Sequence, residues 1–121
     1  MVTAFCEDLA AAKDFYARVL EAPLVFENDD SAVFRVGAVM VNLLDERSAL
    51  ELVAPGPVAP VGLGDRIQLT ILVADVDATC EELSRRGVTL HNGPMDRWWG
   101  MRTASFRDPA GLLWEVAADL T

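Results

Sequence analysis

The sequence contains the same pattern twice. Residues 5–16 (FCEDLAAAKDFY) and 72–83 (LVADVDATCEEL) each consist of a short apolar run, an aspartate and a segment with apolar residues at helical spacing. This pattern is typical of a β-strand followed by a helix whose N-terminus is capped by the aspartate. Two copies indicate two similar modules, and a chain of 121 residues provides one core rather than two independent ones. We therefore expect one domain, residues 1–121, built from paired modules.

Turn residues and periodicity predict the same order of elements in each module, strand, helix and three strands. The first module, 1–44, is predicted to contain strands 2–6, 23–27, 31–36 and 39–44 and a helix from Asp8 to about Leu20. The second module, 66–121, is predicted to contain strands 66–73, 88–91, 101–107 and 112–117 and a helix from Asp75 to Gly87. The segment 45–65 is rich in proline and glycine and is interpreted as a linker with room for a short helical turn.

Alternate side chains of each predicted strand belong to opposite faces of the sheet. One face is apolar throughout, which suits the two helices. The other face mixes apolar and polar side chains, which is the composition either of a small-molecule pocket or of the solvated side of a half-buried sheet. The mixed face contains Thr3 and Phe5; Met40, Asn42 and Leu44; Gln68, Thr70 and Leu72; and Leu113, Glu115 and Ala117.

The composition argues against nucleic acid and membranes as partners. Acidic residues outnumber basic ones 19 to 10, and the net charge of −9 repels phosphate backbones while it also keeps protein molecules apart.

Cys6 and Cys80 have no paired spacing, which favours free thiols in a reducing compartment. No apolar window approaches the roughly 20 residues of a membrane span, and the first residues lack the pattern of a secretion signal. We therefore expect a cytoplasmic protein.

The repeated module and the closing segment 98–115 (WWGMRTASFRDPAGLLWE) together resemble the vicinal oxygen chelate superfamily, in its glyoxalase/bleomycin resistance branch. The resemblance covers nearly the whole chain. It implies an α+β fold in which paired βαβββ modules form a cup-shaped mixed sheet with the helices on its convex face. It does not determine the chemistry, because this fold carries metal-dependent lyases, dioxygenases, epimerases and drug-binding proteins.

Metal-using members of that superfamily place ligands near the start of the first strand and on the last strand of each module, usually His and Glu. The matching positions here are Met1 or Thr3, Asn42, Gln68 and Glu115. A shifted alignment would exchange Asn42 for Glu51. Amides bind transition metals more weakly than imidazole or carboxylate does. With these residues at the positions that the resemblance implies, we expect no bound metal and no cofactor.

Five side chains are interpreted individually. Trp98 and Trp99 lie in the segment 93–100, where they can stack on a flat conjugated ligand or pack as part of the fold. Trp114 belongs to the helix-facing set and is expected in the core. The only histidine, His91, is interpreted as a surface residue, although a histidine there can titrate near neutral pH. Glu115 is either a hydrogen-bonded carboxylate or a general base with a raised pKa.

The sequence thus suggests a metal-independent homodimer that binds and sequesters a bulky, partly aromatic natural-product antibiotic. No catalytic residue is assigned. The predicted apolar and stacking contacts are Phe5, Met40, Leu72, Trp98, Trp99 and Leu113, and the predicted polar contacts are Asn42, Gln68, Thr70 and Glu115. The alternatives are a metal-dependent glyoxalase-like lyase or dioxygenase, a metal-independent biosynthetic enzyme that uses Glu115 or His91, and a purely structural role. Pairing of the modules within one chain or between two chains is left open.

Overall fold

The computed structural model describes residues 1–65 and 67–121, which divide into two compact units. One unit comprises Met1–Gly64 with Asp108–Gly111, and the other comprises Asp65–Arg107 with Leu112–Thr121. Each unit contains one four-stranded mixed sheet with its elements in the order predicted from the repeat. The α+β class with two βαβββ modules is therefore confirmed.

The first sheet is built from a parallel pair and an antiparallel ribbon. Its elements are β1 (Val2–Cys6), α1 (Leu9–Asp14), β2 (Leu24–Glu27), β3 (Ser31–Val36) and β4 (Val39–Asp45). The strand order is β1-β4-β3-β2, and only β1 and β4 run parallel. Asp8 caps α1 by accepting a hydrogen bond from the Ala11 N–H at 3.0 Å, and the helix continues as a wider π-helical segment, Phe15–Val19. The helix predicted to end near Leu20 is confirmed.

The core of the first unit lies between this helix and one face of its sheet. The helix contributes Ala12, Tyr16 and Val19, and the sheet contributes residues from the helix-facing set such as Val41 and Leu43. The Tyr16 hydroxyl donates a 2.6 Å hydrogen bond to Asp108 Oδ2 inside this core. Asp108 also closes the turn to Gly111, whose N–H donates to the Asp108 carbonyl at 2.9 Å. Asp108 of the Arg-Asp-Pro-Ala-Gly segment therefore stabilises both the core of this unit and the turn that follows it.

The segment that follows β4 contains a helix, α2 (Glu46–Val53), longer than the single turn expected there. Asp45 caps it by accepting a 2.9 Å hydrogen bond from the Arg47 N–H. Ala49 is buried, while Leu50 and Leu52 are exposed. No helix among the described residues is long and apolar enough to cross a membrane.

The second unit repeats the arrangement of the first. Its elements are β5 (Gln68–Leu72), α3 (Val76–Arg85), β6 (Asn92–Asp96), β7 (Met101–Arg107) and β8 (Leu113–Asp119). The strand order is β5-β8-β7-β6, and only β5 and β8 run parallel. Asp75 caps α3 through the Ala78 N–H at 3.0 Å, as Asp8 does in the first unit, and Gly87 follows the helix with φ of +87°. Trp114 is buried in this unit, as predicted.

One predicted strand is wrong. The strand placed at 88–91 lies instead at Asn92–Asp96, because the Gly-Pro pair inside it signals a turn in sequence but forms a bulged edge strand in the structure. Gly93 has φ of +81°, and a Cβ there would lie 2.5 Å from the Thr103 carbonyl oxygen. Only glycine fits that approach between β6 and β7. The predicted strand 66–73 begins at Arg66, which lies outside the described residues.

Candidate functional site

A row of polar side chains crosses the second sheet on the face opposite α3. Thr70 of β5 pairs with Glu115 of β8, Glu115 pairs with Ser105 of β7, and Ser105 pairs with Asn92 of β6. Side chains at paired positions share a face, so these four form one line, which we call the second polar row. Thr70 Oγ1 donates a 3.0 Å hydrogen bond to Glu115 Oε1. Ser105 Oγ is buried and has no hydrogen-bond partner among the described residues.

The first sheet contains the corresponding line with different chemistry. Thr3 of β1, Asn42 of β4, Val33 of β3 and Phe26 of β2 are paired in the same way, and we call them the first row. Asn42 Nδ2 donates to Thr3 Oγ1 at 3.4 Å, and Asn42 Oδ1 is buried without a partner in the described part of the chain. Asn42 thus occupies in the first module the position that Glu115 occupies in the second. Glu51, the alternative from a shifted alignment, lies on α2 instead.

The structure distributes the ten residues predicted to contact a ligand over both units. Phe5, Met40 and Asn42 are half-buried residues of the first sheet, on the face of the first row. Gln68, Thr70, Leu72, Leu113 and Glu115 lie together on the face of the second polar row. On that face β5 is exposed, with Leu72 at 75 % of its possible exposure, whereas Thr103, Ser105 and Ala117 at the centre are buried. The accessible part of this face therefore follows β5 and the adjoining side of β8.

Trp98 and Trp99 occupy the two central positions of a tight turn between β6 and β7. The Gly100 N–H donates to the Arg97 carbonyl at 3.1 Å, and the Arg97 N–H donates to the Met101 carbonyl at 2.7 Å. The two indole rings meet edge to face with centroids 5.5 Å apart. Trp98 is 93 % exposed and Trp99 is 52 % exposed. An exposed indole pair of this size presents a preformed apolar surface to a flat ligand.

Arg97 joins this turn to the sheet and is absent from the residues predicted from sequence. Its Nε donates to Thr103 Oγ1 at 2.9 Å and its Nη2 donates to Asn92 Oδ1 at 3.4 Å. The guanidinium carbon lies 5.6 Å from the centroid of the Trp99 ring, within the range of a cation–π contact. The sequence signal that could have found it is an arginine directly before two tryptophans. The path of its side chain back along the hairpin required the structure.

The donor set at the family's metal positions does not fit a transition metal. Thr3 and Asn42 in the first unit are neutral and bonded to each other, and in the second unit Glu115 accepts from Thr70 beside the neutral amide of Gln68. Among residues 1–65 and 67–121 no group of three or more His, Cys, Asp or Glu side chains is arranged to hold a metal ion. Neutral amides and hydroxyls bind such ions weakly without imidazole or thiolate beside them.

The two cysteines are free, as predicted; both are buried, and neither suits nucleophilic chemistry. Burial, together with the nearby Asp108 carboxylate, raises the pKa of the Cys6 thiol to about 12. Burial also raises the pKa of Cys80. Because the thiolate is the reactive form, both side chains act as core residues. His91 is exposed, as expected, and its backbone N–H donates to the Ser105 carbonyl at 2.7 Å.

An open groove of about 480 Å³ lies at the start of α1 in the first unit, away from the first row. Two of its carboxylates already have partners, since Asp8 caps α1 and Asp45 binds the Arg47 guanidinium at 2.8 Å. The hydrogen bond from Arg47 lowers the pKa of Asp45 to about 2. The groove is therefore an open surface in which these two carboxylates already serve the fold.

Comparison with known proteins identifies the family to which this fold belongs. Residues 1–116 match the family model described as the glyoxalase/bleomycin resistance protein/dioxygenase superfamily. The chain is 33 % identical over 113 residues to the protein YraH of Bacillus subtilis (strain 168). The matched region covers 90 % of this chain and 88 % of YraH.

Solved structures agree with this assignment. A glyoxalase/bleomycin resistance protein/dioxygenase from Nocardioides matches 98 % of this chain and 81 % of its own, with 25 % identity and a TM-score of 0.86. A lactoylglutathione lyase from Agrobacterium tumefaciens matches 97 % of this chain and 90 % of its own, with 24 % identity and a TM-score of 0.76, and so shares the fold. The chain belongs to the glyoxalase/bleomycin resistance protein/dioxygenase superfamily.

Proposed function

We propose that this protein binds, without a metal, a small natural product that has a flat aromatic part, and that it protects the cell by sequestering that compound. The observation that carries the proposal is the exposed indole pair in the β6–β7 turn. Trp98 is 93 % exposed even though its ring meets that of Trp99 edge to face, so a large apolar surface is left in contact with water. Covering such a surface with a flat ring system removes apolar area from water and adds about 0.5–1.5 kcal/mol per aromatic pair.

The face of the second polar row supplies the remaining contacts in this proposal. Leu72 and Leu113 provide apolar surface on β5 and β8, and Thr70 and Glu115 provide polar groups that fix the orientation of a ligand. A small number of polar groups among apolar ones is typical of small-molecule sites. The neutral side chains Thr3, Asn42 and Gln68 at the expected ligand positions do not fit a transition metal, which supports binding rather than the metal-assisted reactions of other family members.

The test is a tryptophan-fluorescence titration of chelator-treated protein with planar aromatic antibiotics, anthracyclines and tetracyclines among them. We expect saturable quenching, the same affinity after metal is restored, and recovery of an unchanged compound by mass spectrometry. Trp98→Ala should weaken binding about 2- to 10-fold, because one stacking contact is lost. Leu52→Ala, which removes an exposed apolar side chain from α2, is the matched control and should bind as the wild type does.

Unchanged affinity in the double variant Trp98→Ala, Trp99→Ala would show that the indoles do not form the binding surface. A converted compound, formed beyond one equivalent per chain and lost in Glu115→Gln, would instead favour a metal-independent enzyme. The specific observation behind that second candidate is that Glu115 lies between Thr70 and the Ser105 hydroxyl, for which the described residues offer no hydrogen-bond partner. In either case the expected homodimer is tested by sedimentation of the same samples.

A further inference from the structure

Arg97 has no carboxylate partner among the described residues, whereas six other arginines do. Its partners are the Thr103 hydroxyl, the Asn92 amide oxygen and the Trp99 ring, all of them neutral. The described arginines that bind a carboxylate are Arg18, Arg47, Arg85, Arg86, Arg102 and Arg107.

The contacts of Arg97 fix one edge of the guanidinium and leave another edge available. Nε and one hydrogen of Nη2 are used, while Nη1 and the second hydrogen of Nη2 have no partner among the described residues. Those two nitrogens form the fork that binds a carboxylate with two parallel hydrogen bonds. Thr103 is 99 % buried in β7, so the anchoring hydroxyl is itself held in place. A guanidinium ordered in advance loses less entropy when it binds.

No carboxylate among the described residues forms an ion pair with Arg97. Asp96, next to Arg97 in sequence, accepts a 2.8 Å hydrogen bond from Arg102 Nη1. Glu115 accepts from Thr70 at the other end of the second polar row, with Ser105 and Asn92 following it in the line. The positive charge of Arg97 is therefore available to a ligand.

We infer that the ligand is an aromatic carboxylic acid whose carboxylate binds Arg97 while its ring lies against Trp98. The inference rests on the proposed function, which places the aromatic ring of the ligand on the indole pair, and it adds a carboxylate to that ligand. Trp98 and Arg97 are neighbours at the same turn, and the exposed indole faces no competing apolar cover. The net charge of −9 opposes any anion at long range, but salt screens this repulsion beyond about 8 Å, so the local guanidinium dominates.

The test uses two probes of nearly the same shape, the anionic 2-naphthoate and the neutral 2-naphthamide, with the full chain labelled with nitrogen-15. The Arg97 Nε–H signal and the indole N–H signals of Trp98 and Trp99 are followed during each titration at neutral pH. We expect naphthoate to bind about tenfold more tightly than naphthamide and to move the Arg97 signal, because charge-assisted hydrogen bonds are roughly twice as strong as neutral ones. Arg97→Gln should abolish this preference, and Arg97→Lys should keep part of it.

Arg85→Gln is the matched control, since it removes the same charge from α3 in the same unit and should leave the preference intact. Equal affinity of the two probes for the wild type, or a preference that persists in Arg97→Gln, would overturn the inference. If both probes move the indole signals equally and neither moves Arg97, the aromatic site stands and the anion site is wrong. If naphthoate moves Arg97 but not the indoles, the anion site stands and the stacking surface is wrong.

Discussion

The two modules share a backbone arrangement and differ in what their rows present. In both, a threonine on the first strand hydrogen-bonds a polar side chain on the last strand, Thr3 with Asn42 and Thr70 with Glu115. Further out, the first row continues with Val33 and Phe26, and the second polar row continues with Ser105 and Asn92. The parallel strands of each sheet thus keep a contact between a threonine and a polar side chain, with the donor and acceptor exchanged, and the outer two strands add a further difference in chemistry.

The helices show a second difference of the same kind. Tyr16 and Leu83 lie at the same distance in sequence from the matched caps Asp8 and Asp75, and both are buried. Only Tyr16 carries a hydroxyl, and it binds Asp108. A duplicated backbone therefore tolerates a buried polar pair in one copy and a purely apolar contact in the other, provided that the polar groups are satisfied.

The largest effect is expected from Gly93→Ala, compared with Gly37→Ala in the β3–β4 turn of the first module. Both glycines have positive φ, but a Cβ at Gly93 would lie 2.5 Å from the Thr103 carbonyl oxygen, whereas a Cβ at Gly37 meets nothing within 4 Å. Gly37→Ala should cost about 1–2 kcal/mol of unfolding free energy from its backbone conformation alone. Gly93→Ala should cost about 2–5 kcal/mol, because the clash adds to that term. Urea unfolding of the two variants measures the difference, and equal losses would contradict it.

Gly93 also shows where sequence reasoning about the fold was correct and where it failed. The aspartate caps, both helices and strands β1, β3, β4 and β7 were predictable, because each depends on local signals that agree with the hydrophobic period. Strand β6 was misplaced because Gly-Pro is a turn signal in most contexts. Here the glycine is required by the close approach of β7, and that approach is visible only once the strands are paired.

The next largest effect is expected from Tyr16→Phe, which tests the difference between the two helices. The substitution removes a 2.6 Å hydrogen bond to a buried carboxylate, and bonds to charged groups contribute about 1.5–3 kcal/mol. Asp108→Asn keeps an acceptor for the hydroxyl and should lose less. Both are measured by thermal and urea unfolding. Wild-type stability in Tyr16→Phe would mean that the pair contributes nothing, and the two helices would then be energetically alike.

A smaller effect of opposite sign is expected from Ser105→Ala. Ser105 Oγ is buried without a hydrogen-bond partner in the described part of the chain, so its removal should leave stability unchanged or raise it by up to about 1 kcal/mol. Ser31→Ala in the first module is the matched control. Ser31 is similarly buried, but its hydroxyl donates to Asn28 Oδ1 at 3.0 Å, so this variant should lose about 1 kcal/mol. A loss in Ser105→Ala as large as in Ser31→Ala would indicate an unseen partner for Ser105.

The candidate site was only partly accessible to sequence reasoning. Alternation along β5 and β8 placed Thr70 and Glu115 on one face, and the Trp98-Trp99 pair was recognisable as unusual. Ser105 and Arg97 were missed for two physical reasons. Ser105 joins the second polar row only through the pairing of β7 with β8, and Arg97 acts through a long side chain that runs back to Asn92 and Thr103. Neither pairing nor a side-chain path follows from the local pattern.

The smallest effect is expected from the exposed ion pairs, which also differ between the modules. In the first, Asp45 pairs with Arg47 and its pKa is lowered from 3.8 to about 2; in the second, Arg102 binds both Asp77 and Asp96, and it lowers the pKa of Asp77. A carboxyl group with a lowered pKa in the folded state stabilises that state above its unfolded pKa, and the contribution disappears as the pH falls through the folded value.

The stability difference between wild type and Arg47→Ala should therefore be present at pH 6 and shrink between about pH 4 and pH 2. Arg102→Ala should show the larger pH-dependent difference, because one guanidinium then loses two carboxylates instead of one. Unfolding midpoints at low and high salt are the measurement, since screening weakens exposed pairs. A difference that persists at pH 2, or that is insensitive to salt, would show that these arginines stabilise their modules through packing rather than charge.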